Sequence, residues 1–171
     1  MTEISKLPLN QFHTKRFAKF GKFAGYSMPI HYPLGVKREH LQTRNAIGLF
    51  DVSHMGQLTM SGGNVTDVLE KLVPADLHEM TSGQITYSQF TLQNGGVLDD
   101  VLITRWDTNR WGLVVNASQK FNDISHLNRW GPNSLKVSYL EDRCLIAIQG
   151  PKARSALSEL LPEAEKLLFM R

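Results

Sequence analysis

The chain has 171 residues, 42% of them hydrophobic, which is enough for one ordinary core or two small ones. Its formal net charge is only +3, so the pI of about 9.1 gives no argument for nucleic-acid binding. The single cysteine, Cys144, excludes an internal disulfide framework, and no apolar stretch approaches the roughly 20 residues of a membrane span. We therefore expect a soluble, cytoplasmic protein that binds neither nucleic acid nor membranes, with Cys144 packed as a small buried hydrophobe.

The charge is distributed unevenly along the chain. Residues 1–50 contain eight Lys or Arg and two acidic residues, whereas residues 51–100 contain seven Asp or Glu and one lysine. An anionic ligand or an acidic partner for the first block is one interpretation of this pattern. Uneven charge on a solvated surface is the commoner interpretation.

The first fifty residues predict short elements separated by turns. Gly21 and Gly25 interrupt any helix in the basic and aromatic segment "FHTKRFAKFGKFAGY". The next segment, "SMPIHYPLG", contains Pro29 and Pro33 and is therefore expected to be extended or turning. We expect a helix in "GVKREHLQTRNAIG" that ends near Gly48.

The middle of the chain predicts strands that pair through hairpins. "HMGQLTM" alternates as a strand does, and "NVTDVLEKLVP" predicts a helix that is capped by Asn64. "ITYSQFTL", "GVLDDVLIT" and "RWGLVVN" predict three further strands. Because "NGG" and "DTNR" read as the turns between these three, an antiparallel meander is the simplest arrangement.

The last fifty residues predict two helices and two more strands. "SQKFNDISHLNRWG" is amphipathic, with an apolar stripe formed by Phe121, Ile124, Leu127 and Trp130. "LKVSYL" and "CLIAIQG" predict strands, and "GPKARSALSELLP" predicts a helix with Pro151 at its first position. Hairpin-paired strands with helices to one side predict an α+β fold of antiparallel sheets with helices packed on one side.

Two adjacent acidic residues, Asp99 and Asp100, interrupt the apolar run "GGVLDDVLIT". Such a pair is unusual, because Asp is depleted in strand interiors and carboxylates are seldom fully buried. Side chains alternate across a strand, so the two carboxylates are expected to diverge toward opposite faces. That geometry excludes a paired-carboxylate mechanism formed by these two residues alone. We expect at least one of them to accept backbone N–H groups near the turn, which leaves the other as a candidate functional group.

A second polar group, Asp51, Ser53 and His54, occurs in "FDVSHMG". A single histidine such as His54 is more often hydrogen-bonded in the interior than catalytic, and Asp51 with Ser53 is equally compatible with a capping arrangement. No pair of His or Cys residues has the spacing of metal ligands, so we predict no metal site. The sequence also lacks a P-loop and a dinucleotide-binding fingerprint.

Longer segments match one known family in order along the chain. They are "LPLNQFH", "FAGYSMPIHYPLGVKREHLQTRNAIGLFDVSHMGQ", "VPADL", "YSQFTLQNGGVLDDVLIT", "LVVNAS" and "IAIQGPKA". On these segments the sequence resembles the N-terminal portion of the glycine cleavage system T-proteins, which are tetrahydrofolate-dependent aminomethyltransferases. Because the match begins at residue 7, we expect no cleaved transit peptide.

The resemblance implies a fragment of a three-domain, folate-binding enzyme of about twice this length. It implies that residues 1–51 and 141–171 are two segments of a discontinuous first domain. Residues 52–140 are then an α+β second domain that carries the "LDD" strand. A Glu, an Arg and aromatic residues that hold the folate belong to the second half of the family's chains, so this chain alone is not expected to bind folate well or to turn over.

The resemblance also implies a reaction. An aminomethyl group on the lipoyl arm of the H-protein loses its nitrogen as ammonia, and its methylene carbon passes to tetrahydrofolate to give 5,10-methylenetetrahydrofolate. The implied partners are the lipoylated H-protein and tetrahydrofolate as co-substrate, without a metal, and we expect a monomer. The family's essential carboxylate corresponds to Asp100, which leaves Asp99 the structural role.

Three further positions correspond to folate contacts of the family: Met55, Tyr87 and Asn116. A flexible thioether suits a flat polarisable ring, and an amide can both donate to and accept from the edge of a pterin. Packing in the core is the alternative for Met55, and a helix cap before "SQKF" is the alternative for Asn116.

Three other functions stay open on the sequence. One is another tetrahydrofolate-dependent enzyme of the same superfamily, such as a demethylase or the folate domain of a sarcosine- or dimethylglycine-oxidising enzyme. Another is a non-catalytic folate-binding protein of the kind linked to iron–sulfur assembly, although such relatives lose the aspartate that "VLDDV" retains. The third is an inactive fragment.

Overall fold

This computed structural model describes residues 4–132 and 134–171. The chain divides into two compact units, of which unit 1 is Met1–His54 with Cys144–Leu168 and unit 2 is Met55–Arg143 with Phe169–Arg171. The junctions after His54 and Arg143 each lie three residues later in the chain than the boundaries expected from the sequence. The third junction, after Leu168, was not expected, because residues 141–171 were all assigned to the first domain. No helix among the described residues is long and apolar enough to cross a membrane.

The helices and strands of the described residues follow one another closely. The strands are β1 (Ser5–Lys6), β2 (Lys19–Phe23), β3 (Tyr26–His31), β4 (Gly48–Asp51), β5 (Gly56–Ser61), β6 (Ile85–Thr91), β7 (Val97–Asp107), β8 (Arg110–Val115), β9 (Lys136–Tyr139) and β10 (Ile146–Gln149). The helices are α1 (Asn10–Lys15), α2 (Val36–Asn45), α3 (Val65–Glu70), α4 (Lys120–Trp130), α5 (Ala153–Ser158) and a 3₁₀ helix (Pro162–Lys166).

Unit 1 contains two small sheets. One has the order β1-β3-β2, with β1 parallel and β2 antiparallel to β3, and the other is the antiparallel pair β10-β4. Ala24 and Gly25 both have positive φ, 47° and 82°, which lets the two-residue turn between β2 and β3 match the strand twist. The extended conformation expected for "SMPIHYPLG" is confirmed over β3.

Three local expectations for unit 1 are wrong. Helix α2 ends at Asn45, and Gly48 instead begins β4. Helix α5 begins at Ala153, two residues after Pro151. Cys144 is exposed, because it precedes β10 and does not belong to the apolar run that the strand contributes.

Unit 2 is built on a five-stranded sheet with the order β6-β7-β8-β5-β9. All four pairings are antiparallel, so the predicted meander of three strands is confirmed. The core lies on one face of this sheet, where β7 contributes Val101 and Ile103 and α3 contributes Val65 and Leu69. The fold class expected from the sequence, α+β with antiparallel sheets and helices packed on one side, is therefore the observed one.

Both predicted helices of unit 2 form, but their details differ from the expectation. Asn64 adopts a left-handed conformation with φ of 60° and makes no side-chain cap to α3. Helix α4 buries Lys120, Asp123 and Leu127, whereas Phe121 and Trp130 of the expected apolar stripe are 67% and 42% exposed. The buried face of α4 therefore differs from the expected apolar stripe and includes the charged residues Lys120 and Asp123.

Candidate active site

The register of unit 2 brings three of the predicted site residues into one row. The last paired row across the sheet joins Val101 of β7 and Gly56 of β5 to Val115 of β8 between them. One position further along, the three chain segments carry Asp100, Asn116 and Met55; Asp100 pairs with Gln89 of β6, whereas Asn116 and Met55 adjoin the ends of β8 and β5. Alternation along β7 from the core residue Val101 places Asp100 on the face opposite the core.

Asn116 connects the two aspartates of β7. Its side-chain Nδ2 donates to Oδ1 of Asp100 at 2.9 Å and to Oδ1 of Asp99 at 3.0 Å, and its backbone N–H donates to Oδ2 of Asp99 at 3.4 Å. The side chain makes no cap to α4, whose N-cap is Gln119. Asn116 is therefore an anchor for the carboxylates and not the helix cap that was its alternative.

The expectation that the two carboxylates diverge is wrong. Alternation fixes the direction of each Cα–Cβ bond, and by that rule Asp99 lies on the core face and Asp100 on the other. However, the pairing with β8 ends at Val101, and β6 has a register shift between Phe90 and Thr91. Beyond the paired region, the amide at the end of β8 is within hydrogen-bonding distance of both short side chains.

Tyr87 lies on β6 and is 56% exposed. It pairs with Leu102, so it stands on the same face of the sheet as Asp100. Desolvation, the negative charge of Asp100, a hydrogen bond with Asp100 and the charge of Asp99 all raise the pKa of the Tyr87 hydroxyl. Tyr87 and Asp100 therefore share one polar patch, and the tyrosine keeps its proton.

Met55 immediately precedes β5 and is half-buried. It is not a member of the buried core cluster of unit 2, so the structure gives no support to its alternative as core packing. Its side chain is thus partly accessible, one residue before the β5 residue that pairs with Val115.

Asp123 is a component of this site that the sequence did not indicate. It is 0% exposed on the inner face of α4. Burial, the charge of Asp99, a hydrogen bond with Asp99 and the charge of Asp100 raise its pKa to about 7. The spacing of Lys120, Asp123 and Leu127 fits a helical stripe, but a pattern that counts only apolar residues assigns the first two to solvent.

Asp51 and Ser53 of the segment "FDVSHMG" belong to a separate hydrogen-bond network within unit 1. Nε2 of His13 lies 2.8 Å from Oδ2 of Asp51, and Nδ1 of His13 lies 2.7 Å from the hydroxyl of Tyr32. Oδ1 of Asp51 accepts the backbone N–H of Ser53 at 3.0 Å. Desolvation acts to raise the pKa of Asp51, but the hydrogen bonds from His13 and Ser53 outweigh it and lower that pKa. The network is buried, since the side chains of His13 and Asp51 are only 5% and 1% exposed. It connects α1 to the last residue of β4.

The chemistry available at the row of Asp100 is that of a fixed anion. No cluster of His, Cys, Asp or Glu that could hold a metal ion occurs in the part of the chain that the structure describes. An amide holds the carboxylate of Asp100 in place, and a tyrosine hydroxyl lies beside it. Such a group can stabilise developing positive charge or orient an N–H of a ligand.

Comparison with known proteins places the chain in a family. The family model described as the GCVT N-terminal domain matches residues 9–171. The chain is 39% identical over 171 residues to "Aminomethyltransferase, mitochondrial" of Dictyostelium discoideum, covering 95% of this chain and 42% of that protein. It is 37% identical over 161 residues to the aminomethyltransferase of Natranaerobius thermophilus, covering 94% of this chain and 44% of that protein.

A solved structure agrees with these matches. The crystal structure of glycine cleavage system aminomethyltransferase T from Bartonella henselae superimposes with a TM-score of 0.94 at 40% identity. The alignment covers 98% of this chain and 46% of that one, so the chain spans less than half the length of these relatives. The chain belongs to the GCVT N-terminal domain family and corresponds to the N-terminal portion of a glycine cleavage system T-protein.

Proposed function

We propose that this chain belongs to an enzyme of the glycine cleavage system that transfers an aminomethyl carbon to tetrahydrofolate, and that it contributes the carboxylate of Asp100 to the active site. In that reaction the aminomethyl group carried by the lipoyl arm of the H-protein releases ammonia, and its carbon passes to tetrahydrofolate as 5,10-methylenetetrahydrofolate. The family membership supports a group-transfer reaction, and the relatives' names indicate that the group transferred is an aminomethyl group. Tetrahydrofolate and the lipoylated H-protein are the substrates that we propose for it.

The observation that carries the proposal is the fixing of Asp100 by Asn116 at 2.9 Å on the face of the sheet opposite the core. Departure of ammonia leaves an electron-poor carbon, and a preorganised anion stabilises such a charge without having to reorient. The same carboxylate can accept an N–H of the folate and so orient the nitrogen that attacks this carbon.

The neighbouring residues suit a flat, polar ligand. Met55 offers a polarisable thioether at the end of the row, and Tyr87 offers an exposed ring and a protonated hydroxyl beside Asp100. Both N–H groups of the Asn116 side chain donate to the aspartates, so its oxygen Oδ1 is the atom that can accept a hydrogen bond from a ligand. We propose that these three residues contact the folate.

The test is the substitution Asp100→Asn, which keeps the size of the side chain but removes the anion. We would place the chain in the B. henselae protein in exchange for the matching segment, because the relatives are more than twice as long. Formation of methylenetetrahydrofolate from aminomethyl-loaded H-protein should fall by about a hundredfold or more, while tetrahydrofolate binding stays largely unchanged. Asp107→Asn is the matched control, since Asp107 lies on the same strand but is exposed and pairs with Arg110. Turnover near that of the parent chimera in Asp100→Asn would remove Asp100 from the mechanism.

A further inference from the structure

One cavity of unit 2 is separate from the row of Asp100. The C-terminal end of α3, the end of β6 and the C-terminal half of α4 form its walls, and we call it the α3–α4 pocket. Its volume of about 320 Å³ is near the lower end of the range of small-molecule sites. Its wall residues Val68 and Leu72 also belong to the buried core cluster. The pocket therefore lies on the core side of the sheet, whereas Asp100 lies on the opposite face.

The walls of the α3–α4 pocket include apolar and aromatic side chains that reach the surface. Leu92, in the turn that follows β6, is 37% exposed, and Trp130, at the end of α4, is 42% exposed. Together with Val68 and Leu72 they give the pocket an apolar lining that contains one indole ring. Such a lining suits a flat apolar group, because an aromatic ring stacks on an indole and loses its contact with water.

Two cationic side chains, Lys71 and Arg129, line the same pocket from the ends of α3 and α4. None of the described residues that line it is acidic, and neither cation forms an ion pair within the described part of the chain. The acidic residues of α3, Asp67 and Glu70, instead lie 2.9 and 3.5 Å from the imidazole of His78. The pocket thus carries two positive charges that are not neutralised by an adjacent carboxylate.

The charge and the ring at the end of α4 lie side by side. The guanidinium of Arg129 is 5.8 Å from the centroid of the Trp130 ring. Burial and the charge of Arg129 lower the pKa of His126, so this third wall residue of α4 is a neutral imidazole at neutral pH. A ligand that stacks on Trp130 therefore has a guanidinium beside it, and a guanidinium is the side chain best suited to hold a planar carboxylate.

A second exposed pair of arginine and tryptophan in unit 2 differs in the features that matter. The guanidinium of Arg110 lies 5.3 Å from the centroid of the Trp106 ring, but its Nε is paired with a carboxylate oxygen of Asp107 at 3.2 Å. Neither Trp106 nor Arg110 lines the α3–α4 pocket. This pair is therefore an internal control for an arginine on a tryptophan without a cavity and without a free charge.

We propose that the α3–α4 pocket binds a small organic anion that carries an aromatic ring and a carboxylate. The ring lies against Trp130 and Leu92, and the carboxylate is held by Arg129 and Lys71. The apolar walls alone would accept an uncharged ring equally well, so the two cations are the groups that select the anion. The site is distinct from the proposed function, because it does not include Asp100 or the residues beside it.

The first experiment titrates the isotopically labelled 171-residue chain with 2-naphthoate and follows the tryptophan indole N–H signals by NMR. We expect a saturable shift of the Trp130 signal, with a Kd of about 1 mM or lower, and an unchanged Trp106 signal. 2-Naphthamide has the same rings without the charge and should bind about fivefold more weakly or worse, and acetate should not shift Trp130. Equal affinities for the acid and the amide, or equal shifts at Trp130 and Trp106, would overturn the proposal.

The second experiment repeats the titrations with substitutions in the pocket. Arg129→Gln and Lys71→Gln should each weaken 2-naphthoate binding by about three- to fivefold and leave 2-naphthamide binding unchanged. Trp130→Leu should weaken the binding of both compounds. Arg110→Gln is the matched control and should change neither. All four side chains are exposed, so the variants keep the core of unit 2. The same loss of affinity in Arg129→Gln and Arg110→Gln would contradict a specific site.

The third experiment measures 2-naphthoate binding calorimetrically in the chimera described above. Binding should persist in the chimera, and its Kd should be the same in the Asp100→Asn chimera, since Asp100 lies on the other face of the sheet. Loss of binding in the chimera would show that the rest of the longer protein covers the pocket, and the proposal would fail. If Asp100→Asn leaves turnover unchanged, the proposed function fails, whereas these titrations still decide whether the α3–α4 pocket is a site.

Discussion

Asn116 is the residue on which the geometry of the candidate site depends. A carboxamide is suited to this position because it presents two N–H groups in a plane, and each is directed to a different carboxylate at 2.9–3.0 Å. Hydrogen bonds to charged acceptors are stronger than neutral ones. Without Asn116 the two neighbouring aspartates would repel each other and lose their common donor.

We expect Asn116→Ala to lower the free energy of unfolding of unit 2 by about 1.5–3 kcal/mol, the cost of hydrogen bonds to charged groups. Denaturation by urea, followed by tryptophan fluorescence, measures this, since Trp106, Trp111 and Trp130 all lie in unit 2. Asn122→Ala is the control, because the amide of Asn122 donates an exposed hydrogen bond to Gln119 and contacts neither aspartate among the described residues. Equal losses in the two variants would show that the aspartates do not depend on Asn116.

A second residue-scale prediction concerns His13 and Asp51 of unit 1. The folded-state pKa of Asp51 is lowered, so its contribution to stability is present above the unfolded value and is lost as pH falls through the folded value. We expect Asp51→Asn to cost about 3 kcal/mol at neutral pH and much less in acid. Hydrogen exchange of the β4 peptide reports on unit 1, and Asp67→Asn, at an exposed pair with His78, is the control. A cost that is independent of pH would contradict the lowered pKa of Asp51.

At the scale of elements, the strands of unit 2 follow from the sequence and the face of α4 does not. β6, β7 and β8 were predictable because their apolar residues alternate and short turn motifs separate them. The face of α4 is set by partners that are distant in the chain. The ammonium of Lys120 contacts the hydroxyl of Tyr139, and Asp123 is fully buried with its pKa raised by burial and by the charges of Asp99 and Asp100. A periodic pattern contains no information on such contacts, so the expectation placed Phe121 and Trp130 inside.

The same reasoning limits how much of the candidate site was predictable. Asp100 and Tyr87 lie on one face, as the alternation of their strands requires. The convergence of Asp99 and Asp100 on Asn116 was not predictable, because it depends on the side-chain amide of a residue that lies just beyond the last paired residue of β8.

Two substitutions on α4 distinguish the observed face from the expected one. Leu127 is 0% exposed and belongs to the core cluster, so Leu127→Ala should cost about 2–5 kcal/mol in the free energy of unfolding. Phe121 is 67% exposed and makes one edge contact with Tyr139, so Phe121→Ala should cost about 1 kcal/mol or less. Urea denaturation of both variants measures the difference, and similar costs would favour the stripe expected from the sequence.

At the scale of the whole molecule, each unit contains its own buried carboxyl with a shifted pKa, and the two shifts have opposite signs. Asp51 in unit 1 is paired with His13, and its pKa is lowered. Asp123 in unit 2 faces other carboxyl groups, and its pKa is raised to about 7. A rise in pH should therefore increase the contribution of Asp51 to the stability of unit 1 in the acid range up to the ordinary value of 3.8, and decrease that of Asp123 in unit 2 between 3.8 and about 7.

The last prediction concerns the pH dependence of unit 2. Folded Asp123 holds its proton up to about pH 7, whereas the unfolded chain releases it near the ordinary value of 3.8. Between these values the folded state binds more protons than the unfolded state, so stability falls as pH rises, by at most about 1.4 kcal/mol per pH unit. Asp123→Asn removes this dependence, because an amide does not titrate. We therefore expect the urea midpoint of wild-type tryptophan fluorescence to decrease between about pH 5 and pH 8, and that of Asp123→Asn to decrease much less. The control Asp107→Asn should follow the wild type, since Asp107 is an exposed partner of Arg110. Parallel curves for wild type and Asp123→Asn would mean that Asp123 is ionised in the folded protein at neutral pH, and that burial does not raise its pKa to about 7.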